Sequence, residues 1–108
     1  MAKQKISKPG LMTETTYYIL LSLVEPLHGY VVMKKVEDIS QGTVTIGPGT
    51  LYGAFSKLEN DGLIEVFSQG NRRKSYCLTA KGKQVLADQI TKFSIMADNG
   101  KKVLKHLA

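Results

Sequence analysis

Two clusters of side chains in this 108-residue chain are of the types that could do intermolecular chemistry. The first is the run Arg72–Arg73–Lys74, three consecutive cations directly after Gly70–Asn71. The second is the segment Thr50–Asn60, where Thr50, Tyr52, Ser56, Lys57 and Asn60 offer hydroxyl, amide and ammonium groups and Gly53 leaves the backbone bare. Cations of this kind neutralise phosphates, and short polar side chains on one helix face can hydrogen-bond to base edges in a major groove. Taken singly, each has an ordinary explanation as a solvated turn or an amphipathic surface helix. Together, and in this order, they point to nucleic acid.

The rest of the chain supplies little else that is reactive. Its one cysteine, Cys77, sits in the alternating run Ser75–Leu78 and is expected to be a small, half-buried apolar residue; it can form no internal disulfide and has no second sulfur with which to hold a metal. His28 and His106 lie far apart, and His28 is expected to be structural. No paired carboxylates, nucleophile elbow or phosphate-cradling loop followed by Lys-Ser/Thr occurs. Gly47–Pro48–Gly49 reads as a turn. These observations argue against an enzyme, a cofactor or a metal centre. The net charge of +6 suits a polyanionic partner. No apolar run is long enough for a membrane span, and the basic N-terminus is followed by no signal-peptide core, so a cytoplasmic protein with no membrane partner is expected.

Elements able to position the two clusters can be read from periodicity. Residues 1–11, with Lys3, Lys5, Lys8 and Pro9–Gly10, read as a flexible basic arm. Thr13 is a plausible N-cap for a first helix that is apolar nearly all round and is expected to end by Pro26. His28–Gly29 opens a second helix with Val32, Val36 and Ile39 on one stripe, stopped at Gly42. Thr43–Ile46 reads as a short strand or extended link. A third helix is expected from Thr50, with Leu51, Ala54, Phe55 and Leu58 facing inward and Asp61–Gly62 ending it. Leu63–Ser68 and Arg73–Leu78 read as strands joined by a turn over Gln69–Arg72. Thr79 then caps a long last helix to about Leu107. The expected class is mainly α with a small β-hairpin wing: a winged helix-turn-helix over 12–79 and a C-terminal dimerisation helix over 80–108.

The last helix has its own pattern. Leu86, Ile90, Phe93, Ala97, Gly100, Leu104 and Leu107 follow alternating spacings of four and three, a heptad-like seam. A stripe of this length exceeds what one small unit can cover, so a second copy of the chain is the expected cover. Gly100 could kink the helix or end it early.

The chain resembles the PadR family of bacterial regulators. The matching residues are Thr15–Leu23, Leu27–His28–Gly29–Tyr30, Gly49–Thr50–Leu51–Tyr52, Lys57–Leu58–Glu59–Asn60–Asp61–Gly62–Leu63–Ile64 and Arg72–Gly82, so the match runs from about Thr13 to Leu86. The resemblance implies a homodimeric winged-helix repressor, often relieved by a small ligand, that binds a pseudo-palindromic double-stranded DNA operator. It implies that Tyr52 and its helical neighbours contact the operator while the wing cations lie on the backbone. It also suggests a site for a planar aromatic effector between subunits. Phe93 falls at that place and Met96 could line it, but the chain has no tryptophan to supply the larger stacking face. The alternative is a ligand-binding or protein-interaction module that keeps the fold without reading DNA.

Overall fold

The computed structural model describes residues 10–68 and 73–108. Its elements, in order, are α1 (Glu14–Ser22), β1 (Leu27–His28), α2 (Gly29–Ile39), α3 (Pro48–Asn60), β2 (Ile64–Ser68), β3 (Ser75–Leu78) and α4 (Ala80–Leu104). Three helices, a hairpin and a long closing helix make a winged helix-turn-helix. The basic arm expected over 1–11 lies outside the described residues up to residue 9, as does the turn over Gln69–Arg72.

Local chemistry sets most of the boundaries. Thr13 caps α1, its Oγ1 accepting the Thr16 amide at 3.2 Å. The helix stops at Ser22, short of Pro26. The chain is drawn out of the helix because the Leu23 carbonyl accepts the Leu78 amide at 3.3 Å and the next residues enter the sheet. There Leu27 and His28 pair with Tyr76 and Ser75, giving an antiparallel sheet in the order β1-β3-β2. A two-residue strand carries no periodicity, so β1 is absent from the sequence pattern.

Helix α2 buries Val32 and Val36, but Ile39, expected on the same stripe, is 41 % exposed at the helix end. Gln41 and Gly42 then adopt left-handed conformations (φ 55° and 79°), and the Gly42 amide returns to the Glu37 carbonyl at 2.9 Å. The link Thr43–Ile46 pairs with no strand among the described residues. It is held instead by buried Ser40, whose Oγ accepts the Val44 amide at 3.0 Å. Helix α3 begins two residues before the expected Thr50, with Gly47 as N-cap and Pro48 in the first turn. Proline fits there because the first helical amides have no intrahelical acceptor.

The hairpin pairs Ile64 with Leu78 and Val66 with Tyr76, and a bulge between Val66 and Ser68 turns Phe67 outward to 63 % exposure. Thr79 joins wing to last helix. Its hydroxyl donates to the Gly62 carbonyl at 2.6 Å and accepts the Gly82 amide at 2.9 Å. Gly82 is required here, since a Cβ at that position would run into the Leu63 carbonyl. One core joins these elements, centred on Ile19, Leu20, Leu23, Val32, Val36, Leu51, Phe55, Ile64 and Leu86. Helix α4 runs unbroken through Gly100 and ends at Leu104 rather than Leu107.

Candidate nucleic-acid interface

Helix α3 turns Leu51, Phe55 and Leu58 into the core, and Thr50, Tyr52, Gly53, Ser56, Lys57 and Asn60 are all exposed. At about 100° per residue, Gly53, Ser56 and Asn60 run along the side opposite the core, with Lys57 beside them. A Cβ at Gly53 would meet nothing within 4 Å, so this strip of backbone is open. Lys57 makes an exposed i,i+4 pair with Asp61 at 3.4 Å, which holds its ammonium only weakly.

Tyr52 has a different setting. It lies at the edge of that face, 48 % exposed, with its ring edge-on to Phe55 at 5.8 Å. Its hydroxyl rests over Gly29, where an added Cβ would come within 2.5 Å of Oη. Phe55 in turn tilts against Tyr76 at 4.5 Å. Tyr52 therefore fixes α3 against the start of α2 while about half of its surface stays exposed. Burial first, then the Glu59 carboxylate and the Tyr52 phenol, raise the Tyr76 phenol above its ordinary range, so it stays neutral.

Arg73 and Lys74 are exposed at the root of the wing, and Arg72 lies outside the described residues. The two cations share a cleft of about 500 Å³ with His28, Gly29, Tyr30, Tyr52 and Tyr76. The structure thus brings the edge of the third helix and the wing root together across one concavity. His28 is part of the joint: its Nδ1 lies 3.3 Å from the Lys74 carbonyl and 3.3 Å from Ser75 Oγ, tying β1 to β3. Tyr30, 71 % exposed, also lines the cleft, a role that helical periodicity does not reveal and at which only its place in the His28–Gly29–Tyr30 run hints.

Along α4 the seam residues divide. Leu86 is 4 % exposed and belongs to the chain's own core. Phe93 is half-buried, its ring edge-on to Tyr17 of α1 at 4.6 Å. Ile90, Met96, Ala97, Leu104 and Leu107 are exposed, as is Ile95. Gln89, polar and outside the expected seam, is 3 % exposed and hydrogen-bonded to the Gly10–Met12 backbone. Cys77 is half-buried, and burial, with the Glu65 carboxylate second, raises its thiol pKa against an opposing Lys83. Among the described residues no group of three His, Cys, Asp or Glu gathers as a metal site, and no helix is long and apolar enough to cross a membrane.

This architecture recurs in solved structures. A PadR-like transcription factor from Bacteroides fragilis is 27 % identical with a TM-score of 0.65, covering 87 % of this chain and 89 % of its own. A PadR family transcriptional regulator from Eggerthella lenta is 29 % identical with a TM-score of 0.66, covering 83 % and 80 %. Among curated proteins, the transcriptional regulator YqjI of Escherichia coli is 33 % identical over 61 residues, 56 % of this chain and 30 % of that protein. An uncharacterized 37.1 kDa protein in transposon TN4556 of Streptomyces fradiae is 36 % identical over 69 residues, 63 % of this chain and 19 % of that protein. The chain therefore spans less than a third of the length of these two curated relatives. The family model for the transcriptional regulator PadR-like family matches residues 19–88, from the buried end of α1 through the wing to the Gln89 region of α4, and the chain belongs to that family.

Proposed function

We propose that this chain is a sequence-specific DNA-binding repressor that acts as a homodimer in the cytoplasm. Helix α3 enters the major groove with Gly53, Ser56, Lys57 and Asn60 toward the bases, Thr50 and Tyr52 at the edges of the contact, and the wing cations Arg72, Arg73 and Lys74 contact the backbone or the minor groove. The observation that carries this reading is the cleft shared by Tyr52 of the third helix and the Arg73–Lys74 pair of the wing root. A groove-reading helix and phosphate-neutralising cations must lie on one surface for either to be useful.

In this reading residues 1–11 form a basic arm, 12–79 the DNA-binding unit and 80–108 the dimerisation helix. The exposed stripe of Ile90, Ala97, Leu104 and Leu107 supports pairing through α4, since exposed apolar stripes of this kind mark association surfaces. Two-fold pairing calls for a pseudo-palindromic operator with half-sites about 34 Å apart. A small planar aromatic effector would fit beside the Tyr17–Phe93 pair and exposed Met96, where a partner chain would close the site.

The test is a gel-shift titration of the full chain against duplexes from its own promoter region and scrambled controls, with sedimentation of free protein and complex. The expected result is a dimer that prefers one palindromic duplex by at least about 10³ over scrambled DNA. Equal affinity for every duplex refutes the reading.

A further inference from the structure

We infer that the cleft between the start of α2, Tyr52 and the wing root is a preformed seat for a single phosphodiester of the DNA backbone, with Tyr30, Arg73 and Lys74 as its direct contacts. This rests on the DNA-binding reading and adds to it a defined phosphate position and a contact residue, Tyr30, outside the third helix and the wing.

The cleft is built for an anion. Arg73 and Lys74 line it with His28, Gly29, Tyr30, Tyr52 and Tyr76; among the described residues no aspartate or glutamate lines it, and the Glu59 carboxylate that acts on Tyr76 lies outside the lining. Neither cation has an ion-pair partner among the described residues, where the exposed pairs are Lys57–Asp61 and Lys92–Asp88. Two unneutralised cations in a concave wall raise the local positive potential above that of the same charges on a flat surface. Exposed Tyr30 contributes a phenolic O–H donor at the mouth.

The framework of the cleft is held by packing and hydrogen bonds. Gly29 and Phe55 fix the Tyr52 ring, Phe55 fixes Tyr76, and His28 Nδ1 engages both the Lys74 carbonyl and Ser75 Oγ. His28 is thus a positioning residue that holds the Lys74 backbone in place. A seat whose framework is held in this way has only the exposed Tyr30, Arg73 and Lys74 side chains to order on binding. Its location selects the ligand. It opens beside the edge of α3, and a helix lying in a major groove about 12 Å wide is flanked by the phosphates of both strands.

The experiment uses the full chain and a duplex carrying the site it selects from a random library, with single uncharged methylphosphonate linkages stepped through each half-site. Affinity is read by fluorescence anisotropy for wild type, Tyr30→Phe and Lys74→Gln. Both substitutions are at exposed positions and preserve most of the side chain; thermal melts check the fold. At one linkage per half-site, wild-type affinity is expected to drop by about tenfold, and the same linkage should cost the Lys74→Gln chain less than about twofold, because the contact is already gone. Tyr30→Phe should show partial loss at that linkage alone.

Additive losses at every linkage overturn the seat. So does unchanged DNA affinity in Lys74→Gln and Tyr30→Phe accompanied by loss of binding to an aromatic carboxylate such as benzoate, which would make the cleft a small-acid site. The same series is run on a scrambled duplex. Equal affinity for the scrambled duplex sinks the repressor reading; the seat is then read without a fixed register, from the salt dependence of binding, where Lys74→Gln should lower the slope of log affinity against log salt by about one and an unchanged slope overturns the seat.

Discussion

Gln89 of α4 accepts a hydrogen bond from the Met12 backbone amide at 2.9 Å, and its Nε2 donates to the Gly10 carbonyl at 3.3 Å. One buried side chain therefore pins the chain entering α1 to the middle of the last helix. Gln89→Leu would fill a similar volume but orphan a backbone donor and an acceptor. The expected loss is about 1–3 kcal/mol, measured by urea denaturation. Gln89→Glu keeps an acceptor for Met12 but sets a buried carboxylate against the Gly10 carbonyl, so it too should lose stability near neutral pH and recover part of it as the carboxylate is protonated. An unchanged midpoint for Gln89→Leu would show that water replaces the clamp.

Three glycines with different surroundings give a second test. At Gly82 a Cβ meets the Leu63 carbonyl, whereas at Gly53 and Gly100 it meets nothing within 4 Å. Gly82→Ala should destabilise by about 1–3 kcal/mol, as overpacking does, and loosen the joint between wing and α4. Gly100→Ala, in the exposed part of α4, should stabilise by up to about 1 kcal/mol. Gly53→Ala should also raise the melting temperature while weakening DNA binding, because the added methyl holds the helix away from the groove. A parallel gain in stability and affinity at Gly53 would show that α3 does not approach DNA by that face.

Those contrasts show what was legible in the sequence. The helix order, the Thr13 and Thr79 caps and the inward Leu51–Phe55–Leu58 face followed from periodicity and capping chemistry, because each is a local signal. The Leu27–His28 strand, the Gln89 clamp and the Tyr52–Gly29 contact were not legible, since each depends on residues distant in the chain or on an element too short to show a period. Leu86 shows the same limit: a heptad position on α4 cannot reveal which neighbour covers it, and its own chain does. In the candidate interface, residue types identified α3 and the wing, while the cleft between them with Tyr30 at its mouth required the fold.

The third prediction separates reading from positioning. Asn60 lies on the open side of α3 and makes no contact needed by the core, so Asn60→Ala should leave the melting temperature unchanged. It should cost about 1–3 kcal/mol of binding to the preferred duplex, the worth of a good base contact, and little on scrambled DNA. Tyr52→Ala, by contrast, should lower both stability and binding, since its ring fills the joint between α2 and α3. Circular dichroism melts beside anisotropy titrations distinguish the two. An Asn60→Ala chain that loses affinity equally on both duplexes would place Asn60 on the backbone.

Cys77 supplies a pH prediction. Burial, with Glu65 next, raises its thiol pKa, so the folded chain holds this proton more tightly than the unfolded chain does. The contribution to stability is complete below the unfolded thiol's pKa of about 8.5 and is lost as pH rises from there through the folded value. Tyr76 is shifted in the same direction and adds a loss beginning near pH 10. Iodoacetamide should label the folded chain slowly at pH 7.5, and its pH–rate profile should rise later than that of the chain in urea. Coincident profiles would show that the thiol is not shielded.

The last prediction concerns α4. Ile90 and Leu104 of the apolar stripe are 40 % and 63 % exposed, so within one chain a charge at either position has water available and should leave the fold intact. In a dimer joined through this helix the same charge would be buried without a partner, at a cost large enough to separate the subunits. Leu104→Glu combined with Ile90→Glu is therefore expected to sediment as a folded monomer with a normal helical spectrum. It should lose preference for a palindromic duplex over a single half-site, since each recognition helix then binds alone. Leu86→Ala provides the opposite control: with Leu86 only 4 % exposed in its own core, it should lower the free energy of unfolding by about 2–5 kcal/mol without specifically favouring monomer. A double glutamate variant that remains dimeric would assign the subunit contact to another surface and leave the apolar end of α4 without the role argued for it.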